Sequence, residues 1–358
     1  MQTLERNAVL PRVVPVYDLL NAGPRHRFVA NGKLIHNSDK INVQNLPSRG
    51  GDTTLRSAII APKGHLIIGA DSSQIEARLN AYIMQETGLL TVFQNGADPY
   101  SYMASGIYGI PYEQVYHEAK VAPTKEGKIR RMVGKETVLA CGYQMSGDKF
   151  AIRLRQQGIL LPDGEPQRIV SVYRQTNARI RDGWRQAQDI ISIMVNGGSG
   201  AFGGPDSNLF QYDGSGMVFG KRMATIRMPN GTYLRYYNLR TIQDEESGRP
   251  AFVYDKLMGR NFARVFLYGG KFVENLTQAL AFAILKEQAV AMARRGVPIK
   301  LNVHDEWVTC VPAQYAAPVV KIFSEEMRRA PIWCPGMPLD CEIDVGISYG
   351  NSHTLEGV

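Results

Sequence analysis

The sequence predicts an α+β protein, and three observations carry that expectation. A continuous apolar run, His65-Leu66-Ile67-Ile68-Gly69-Ala70, reads as a buried strand ending at Asp71. Ile299-Lys300-Leu301-Asn302-Val303 alternates with period two, and with 307–311 it forms a hairpin bending at His304-Asp305-Glu306. Segments with helical spacing lie between these pieces. The 358 residues suffice for two or three domains and a sizeable core. A hydrophobic share of 44% and a charged share of 21% are those of an ordinary soluble chain. No stretch approaches the ~20 apolar residues of a membrane span. Residues 1–10 include Glu5 and no apolar run, so they do not read as a signal peptide, and the expected compartment is the cytoplasm.

The elements follow in order. Val13 to Leu20 is a short β-prone run, Asn21-Ala22-Gly23-Pro24 a turn, and Asn31-Gly32 sits between two short apolar runs as a hairpin turn. This small β module cannot bury a core alone. Residues 39–64 are loop-like, with Asn, Pro and Gly crowded together. After the strand at 65–70, a helix starts near Ser73 and runs to about Met84. Residues 125–141 read as a basic helix despite Gly134, which costs about 1 kcal/mol against Ala. The glycine-dense stretch 196–220 reads as a surface excursion, and 263–267 with 272–294 include a long apolar-periodic helix. Cys141, Cys310, Cys334 and Cys341 form no metal-like cluster and read as reduced and structural. The net charge of +8 is compatible with a nucleic-acid partner but does not require one.

Chemistry enters at the ends of strands. Asp71 closes one and Asp305 sits at a hairpin bend. Each alone is also what a cap or a turn selects. Together, such carboxylates can converge on two divalent cations about 3.5–4 Å apart, as in-line phosphoryl displacement requires. Hard oxygen ligands suit Mg²⁺. On the basic helix, Arg131, Lys135 and Leu139 are four residues apart and share one face. That face can grip a triphosphate, with Lys135 donating a proton to pyrophosphate. It can equally be a solvated surface.

The order of the pieces adds to this reading. Asp71-Ser72-Ser73-Gln74-Ile75-Glu76-Ala77-Arg78 resembles motif A of family A DNA polymerases, commonly D-Y-S-Q-I-E-L-R. Arg131, Lys135, Leu139 and Tyr143 resemble motif B, and His304-Asp305-Glu306 resembles motif C. Asn42 to Pro47 resembles the template-contacting N-L-Q-N-I-P segment, and Tyr268 to Gln278 the segment before motif C in phage members. The resemblance runs from about Ser38 to the C-terminus. It implies a palm at 38–85 and 258–358, with an antiparallel sheet and helices, and helical fingers at 86–257. It implies a template-directed DNA polymerase half acting on a DNA primer–template and dNTPs with two Mg²⁺. Asp71, Asp305 and the Ser72 backbone carbonyl would hold the metals, with Glu306 supporting them. Arg131, Lys135, Gln74, Glu76, Leu139 and Tyr143 would meet the nucleotide, Glu76 as the steric gate against a ribose hydroxyl. Gln44, Asn45, Lys271, Gln278 and His304 would face DNA. Ser72, Leu139 and Gln144 depart from the usual tyrosine, phenylalanine or tyrosine, and glycine; because of Leu139, dideoxynucleotide discrimination does not carry over, and Gln144 bears on how the motif B helix ends. A single-subunit RNA polymerase shares the three motifs but lacks a reason for Glu76, and a non-catalytic DNA-binding relative lacks a reason to keep Asp71, Lys135 and Asp305 together.

Residues 16–38 resemble the C-terminal blocks of an intein: V-Y-D-L, H-x-F-x-A-N-G, then His36-Asn37 before Ser38. By that resemblance Asn37 cyclises to cut its bond to Ser38. The Ser38 hydroxyl accepts an upstream polypeptide as an ester, His26 and His36 move protons, and Asp18 assists. The expectation is a split intein fragment at 1–37 and a separate partner chain carrying the N-terminal intein fragment and polymerase half, joined by trans-splicing; the alternative is a truncated reading frame of an uninterrupted intein.

Overall fold

The strand that carries Asp71 finds its partners far along the chain. In a computed structural model, which describes residues 27–30, 33–36, 54–258 and 261–354, His65–Ser72 is the middle of a five-stranded antiparallel sheet. Glu306–Pro312 pairs on one side and Cys341–Ser348 on the other, with Ile299–Val303 and Asn351–Thr354 outside them. Ile67, Val303, Val308 and Tyr349 form a core cluster over this sheet. The helix Ala316–Arg328 packs against the same middle strand, with Val319, Val320, Phe323 and Met327 buried along one stripe. A strand paired on both edges and covered in this way reads as a continuous apolar run, because little of it meets water.

The expected hairpin is present, with Glu306 already in its second strand and His304 and Asp305 as the two loop residues. The first strand runs further than expected. It continues through Ser72 because the Ser72 N–H donates to the Asp305 carbonyl, and the following Ser73 N–H to that of Asp340. The next helix accordingly begins at Ile75, after Gln74 in a left-handed conformation, rather than at Ser73.

The chain divides into two compact units. One comprises the described residues up to Ser73 with Leu285–Arg329 and those from Asp340. The other comprises Gln74–Ile284 with Ala330–Leu339. The second begins with helices, among them Ile75–Met84, Pro99–Tyr108, the expected basic helix Lys125–Cys141, and Ala178–Val195. Thr124 caps the basic helix by accepting the Gly127 N–H. Gly134 lies against the Tyr100 carbonyl and against Ala104, so a Cβ there would overlap the helix Pro99–Tyr108. The residue that weakens helix propensity is what lets two helices approach closely.

From residue 199 the chain turns to strands. The stretch 196–220 lies largely at the surface, as expected, but it is regular: Ser199–Phe202 and Phe210–Asp213 pair antiparallel, with Phe202 and Phe210 buried ring against ring. The expectation that 86–257 is helical is corrected, because it is not helical throughout. A seven-stranded antiparallel sheet runs in the order Asn261–Leu267, Pro250–Met258, Tyr233–Gln243, Lys221–Arg227, Phe210–Asp213 and Ser199–Phe202, with Met217–Val218 beside Lys221–Arg227. Its buried side includes Ala224, Ile226 and Tyr236, whose ring stacks on Phe272, and the helix Ala178–Val195 packs against it. The long helix is Gly269–Arg294, so 263–267 belongs to the strand before it.

All four cysteines are free, as expected. Strands Arg27–Ala30 and Lys33–His36 pair antiparallel, matching the expected hairpin runs, while Asn31-Gly32 lies outside the described residues. Asp18, His26, Asn37, Ser38, Gln44 and Asn45 also lie outside them. Among the described residues no helix is long and apolar enough to cross a membrane.

Candidate active site

The sheet brings Asp71 and Asp305 together, as their positions at strand ends suggested. Asp71 lies near the end of the middle strand, opposite Glu306 on one neighbour and Glu342 on the other. Asp305 hangs from the two-residue loop, anchored by its carbonyl to the Ser72 N–H at 3.0 Å. The loop is tight enough to hold His304 at φ +54°, a conformation that costs a side-chain-bearing residue about 1–2 kcal/mol. Burial raises the Asp305 carboxyl above its ordinary value, and hydrogen bonds from its own backbone and from Asp71 offset this only in part. The two carboxyls are thus within hydrogen-bonding reach. Carboxyls this close share a proton unless a cation between them lets both stay ionised.

Glu306 is held away from solvent. Its carboxylate accepts from the Tyr349 hydroxyl at 2.5 Å and faces Arg56 at 3.5 Å, with all three side chains buried. Gly69 makes room for it, since a Cβ there would lie 2.6 Å from Glu306 Oε1. Among the described residues no group of three or more His, Cys, Asp or Glu side chains converges as a metal cluster. Two carboxylates and a backbone carbonyl still suit Mg²⁺, which takes few protein ligands and completes its shell with water and substrate phosphate.

The second unit holds a different cluster. Glu76 lies in the first turn of Ile75–Met84, and its Oε2 accepts from the Tyr143 hydroxyl at 3.2 Å. Burial and the Glu76 carboxylate push the Tyr143 phenol well above its ordinary value, so it stays a neutral donor. Tyr143 is placed by a firm stop to the basic helix: the Gly142 carbonyl accepts from both Asn80 Nδ2 and Trp184 Nε1 at 3.0 Å. Gln144 then takes φ +67°, where the usual motif carries glycine, and its Oε1 accepts the Gly270 N–H at 3.0 Å. Gly270 fits because a Cβ would lie 2.6 Å from the Tyr143 carbonyl. Beside this knot a groove of about 820 Å³ is lined by Glu76, Leu139, Tyr143, Lys149, Arg174 and Gln278, among others.

The cations of the basic helix differ. Arg131 is not presented to a ligand here: it makes a two-pronged bond to Asp98 at 2.8 and 2.9 Å and lies over the Tyr100 ring. Burial acts to raise the Asp98 carboxyl, but hydrogen bonds from Arg131 and Ser101 overcome it and leave the carboxyl below its ordinary value. Lys135 is half-buried and pairs with no carboxylate among the described residues. Lys271 pairs with Glu274 at 2.9 Å on the long helix, where Gln278 is exposed. Gln74 Oε1 accepts from Arg78 at 3.4 Å. Sequence reasoning missed Asp98, Asn80, Trp184, Tyr349 and Glu342, whose partners lie far away in sequence and leave no local pattern.

Residues 25–188 match the family model described as DNA polymerase family A. The chain is 29% identical over 290 residues to a DNA polymerase of Bacillus phage SP02, covering 80% of this chain and 42% of that protein. It is 32% identical over 153 residues to the thermostable DNA polymerase I of Thermus aquaticus, covering 42% of this chain and 16% of that one. In fold it is similar to the POL domain of Pol1 from M. smegmatis, solved in complex with DNA primer–template and dNTP, at a TM-score of 0.57 and 22% identity. That likeness covers 86% of this chain and 44% of the other. The chain spans less than half the length of these relatives.

Proposed function

We propose that this polypeptide, whose residues 25–188 match the family A DNA polymerase model, supplies the catalytic part of a template-directed DNA polymerase. The observation that carries the reading is the contact of the Asp71 and Asp305 carboxyls. Asp71, Asp305 and the Ser72 carbonyl are the groups to hold two Mg²⁺, which when bound would activate the primer hydroxyl and neutralise charge on the phosphates. Glu306, fixed by Tyr349 and Arg56, keeps the strand beside Asp305 rigid. Lys135 donates a proton to departing pyrophosphate, and Arg131 joins it if the Asp98 pair opens. Glu76, steadied by Tyr143, stands where a ribose hydroxyl would project, which favours dNTPs. Leu139 and Gln74 border the same nucleotide. Gln278, His304, Lys271 and, outside the described residues, Gln44 and Asn45 meet the primer–template.

On this reading 38–85 and 258–358 form the palm and 86–257 the fingers. The polypeptide matures by trans-splicing, which removes residues 1–37 through Asp18, His26, His36, Asn37 and Ser38 and joins the remainder to a separate N-terminal chain. The motif order in residues 16–38 supports the splicing chemistry, and co-expression with an N-terminal partner tests the joining: a fused product and a free peptide are expected, and Asn37→Ala should block the peptide's release. For catalysis, Asp71→Asn and Asp305→Asn in the joined protein should each abolish single-nucleotide incorporation while leaving primer–template affinity nearly unchanged. Incorporation retained in both variants would remove the assignment. A preference for ribonucleotides would favour an RNA polymerase instead.

A further inference from the structure

The outer side of the seven-stranded sheet has no part in the chemistry above, yet it is unusual for a solvent face. Residues directly opposite in an antiparallel pair share a side. Register therefore places Phe262, Arg264 and Phe266 with Leu257 and Asp255, then Tyr237, Arg235 and Tyr233, then Thr225 and Arg227. On this side Phe262 is 60% exposed, Leu257 58%, Phe266 48% and Tyr233 47%. The rings are set among cations. Lys221 Nζ lies 5.6 Å from the centre of the Tyr237 ring, Arg235 lies 5.6 Å from that of Tyr233, and Tyr237 leans on Phe262 at 5.4 Å. Asp255 on the same face is already paired with Arg240 at 3.0 Å and accepts a hydrogen bond from Asn238 at 2.7 Å. Arg227, Arg235 and Arg264 pair with no carboxylate among the described residues, and Lys221 shares Asp255 with Arg240, so cations outnumber carboxylates here and the face is positive as well as aromatic.

We propose that this sheet face binds single-stranded nucleic acid, its exposed rings stacking on bases and its cations tracking the phosphates. A protein partner of ordinary hydrophobic character would meet uncompensated charges on this face, whereas a strand of unpaired nucleotides offers a base for each ring and a phosphate for each cation. Stacking tolerates any base and the cations contact only phosphate, so the recognition is sequence-independent. The inference goes beyond the polymerase reading and does not depend on Asp71 or Asp305.

The test uses the full chain and fluorescently labelled dT and rU oligonucleotides of about twenty nucleotides, read by anisotropy across a salt series. Phe262→Ala and Phe266→Ala should each weaken binding about ten-fold, with far-UV circular dichroism unchanged because both rings are exposed. Arg264→Gln should reduce the slope of log affinity against log salt by about 0.7. A blunt duplex should be insensitive to Phe262→Ala and Phe266→Ala, since its bases are not free to stack. The rU arm should respond as the dT arm does. Unchanged oligonucleotide affinity in the Phe262→Ala/Phe266→Ala double variant would overturn the proposal. So would an equal loss on blunt duplex, or a concentration-dependent dimer abolished by the double variant while oligonucleotide binding persists, which would give the face to a second copy. Nucleotide incorporation by the joined protein on a template with a minimal overhang reads the polymerase assignment separately, so either reading can fail alone.

Discussion

Replacing Gly134 by alanine sets two rules of helix energetics against each other. In an exposed helix interior Gly→Ala stabilises by roughly 0.8–1 kcal/mol through propensity and backbone entropy. At Gly134 the new Cβ would lie 3.1 Å from both the Cβ and the nitrogen of Ala104 and closer still to the Tyr100 carbonyl oxygen. Two of these three neighbours are backbone atoms of a packed helix, which cannot swing aside as a side-chain tip does. Overpacking of this kind costs about 1–3 kcal/mol and can separate the helices. After the propensity gain is credited, the net expectation is destabilisation by up to about 2 kcal/mol. Gly106, exposed on the helix Pro99–Tyr108, is the control: its Cβ would meet only Met103 Cε at 3.9 Å, so Gly106→Ala should stabilise by about 0.5–1 kcal/mol. Urea denaturation followed by far-UV circular dichroism reads both variants in the same helix pair. A Gly134→Ala protein as stable as Gly106→Ala would refute the claim that close approach selects glycine here. Because Arg131 and Lys135 ride on the same helix, Gly134→Ala should also lower nucleotide incorporation in the joined protein.

Tyr349→Phe removes the hydroxyl that donates to the buried Glu306 carboxylate. It should cost about 1.5–3 kcal/mol in denaturant titration, whereas a loss under about 0.5 would mean that Arg56 alone suffices. Tyr143→Phe should release Glu76 and weaken exclusion of ribonucleotides about ten-fold, the scale of one hydrogen bond to a charged group; competition between matched ribo- and deoxynucleotides measures it. Burial lifts the Cys141 thiol from 9.0 to about 12 and the Cys341 thiol from 9.0 to about 11. Both should therefore resist iodoacetamide at pH 8 in the folded protein and react once it is unfolded. Their folded values lie above the unfolded one, so their contribution to stability is complete below about pH 9 and is lost as pH rises towards about 11 and 12. A melting temperature that climbs across that interval would contradict this.

What could be read from the chain depended on how local its cause was. The strand at residue 65, the hairpin around Asp305 and the helix Lys125–Cys141 each announce themselves in a run of adjacent residues. The contact of Asp71 with Asp305 was legible because both occupy strand ends. The sheet from Ser199 onward was not: its first strands are four residues or fewer, glycines flank Phe202, and each of the first two strands buries a single residue, Phe202 or Phe210. Alternation does appear in Lys221–Arg227, where Ala224 and Ile226 are buried, but a helical expectation for the whole segment hid it. The capture of Arg131 by Asp98 and of Gly142 by Asn80 and Trp184 joins residues with no shared periodicity, and only the folded chain reveals them.

The middle strand of the carboxylate sheet also sets a timetable for synthesis. His65–Ser72 leaves the ribosome well before both of its neighbours, Glu306–Pro312 and Cys341–Ser348. At about 5–20 residues per second, the intervening chain takes on the order of ten to fifty seconds to appear. Through that interval an apolar strand with two open edges waits unpaired, the kind of segment that self-associates. A nascent chain stalled before residue 306 should therefore lean on chaperones far more than one that has passed Ser348.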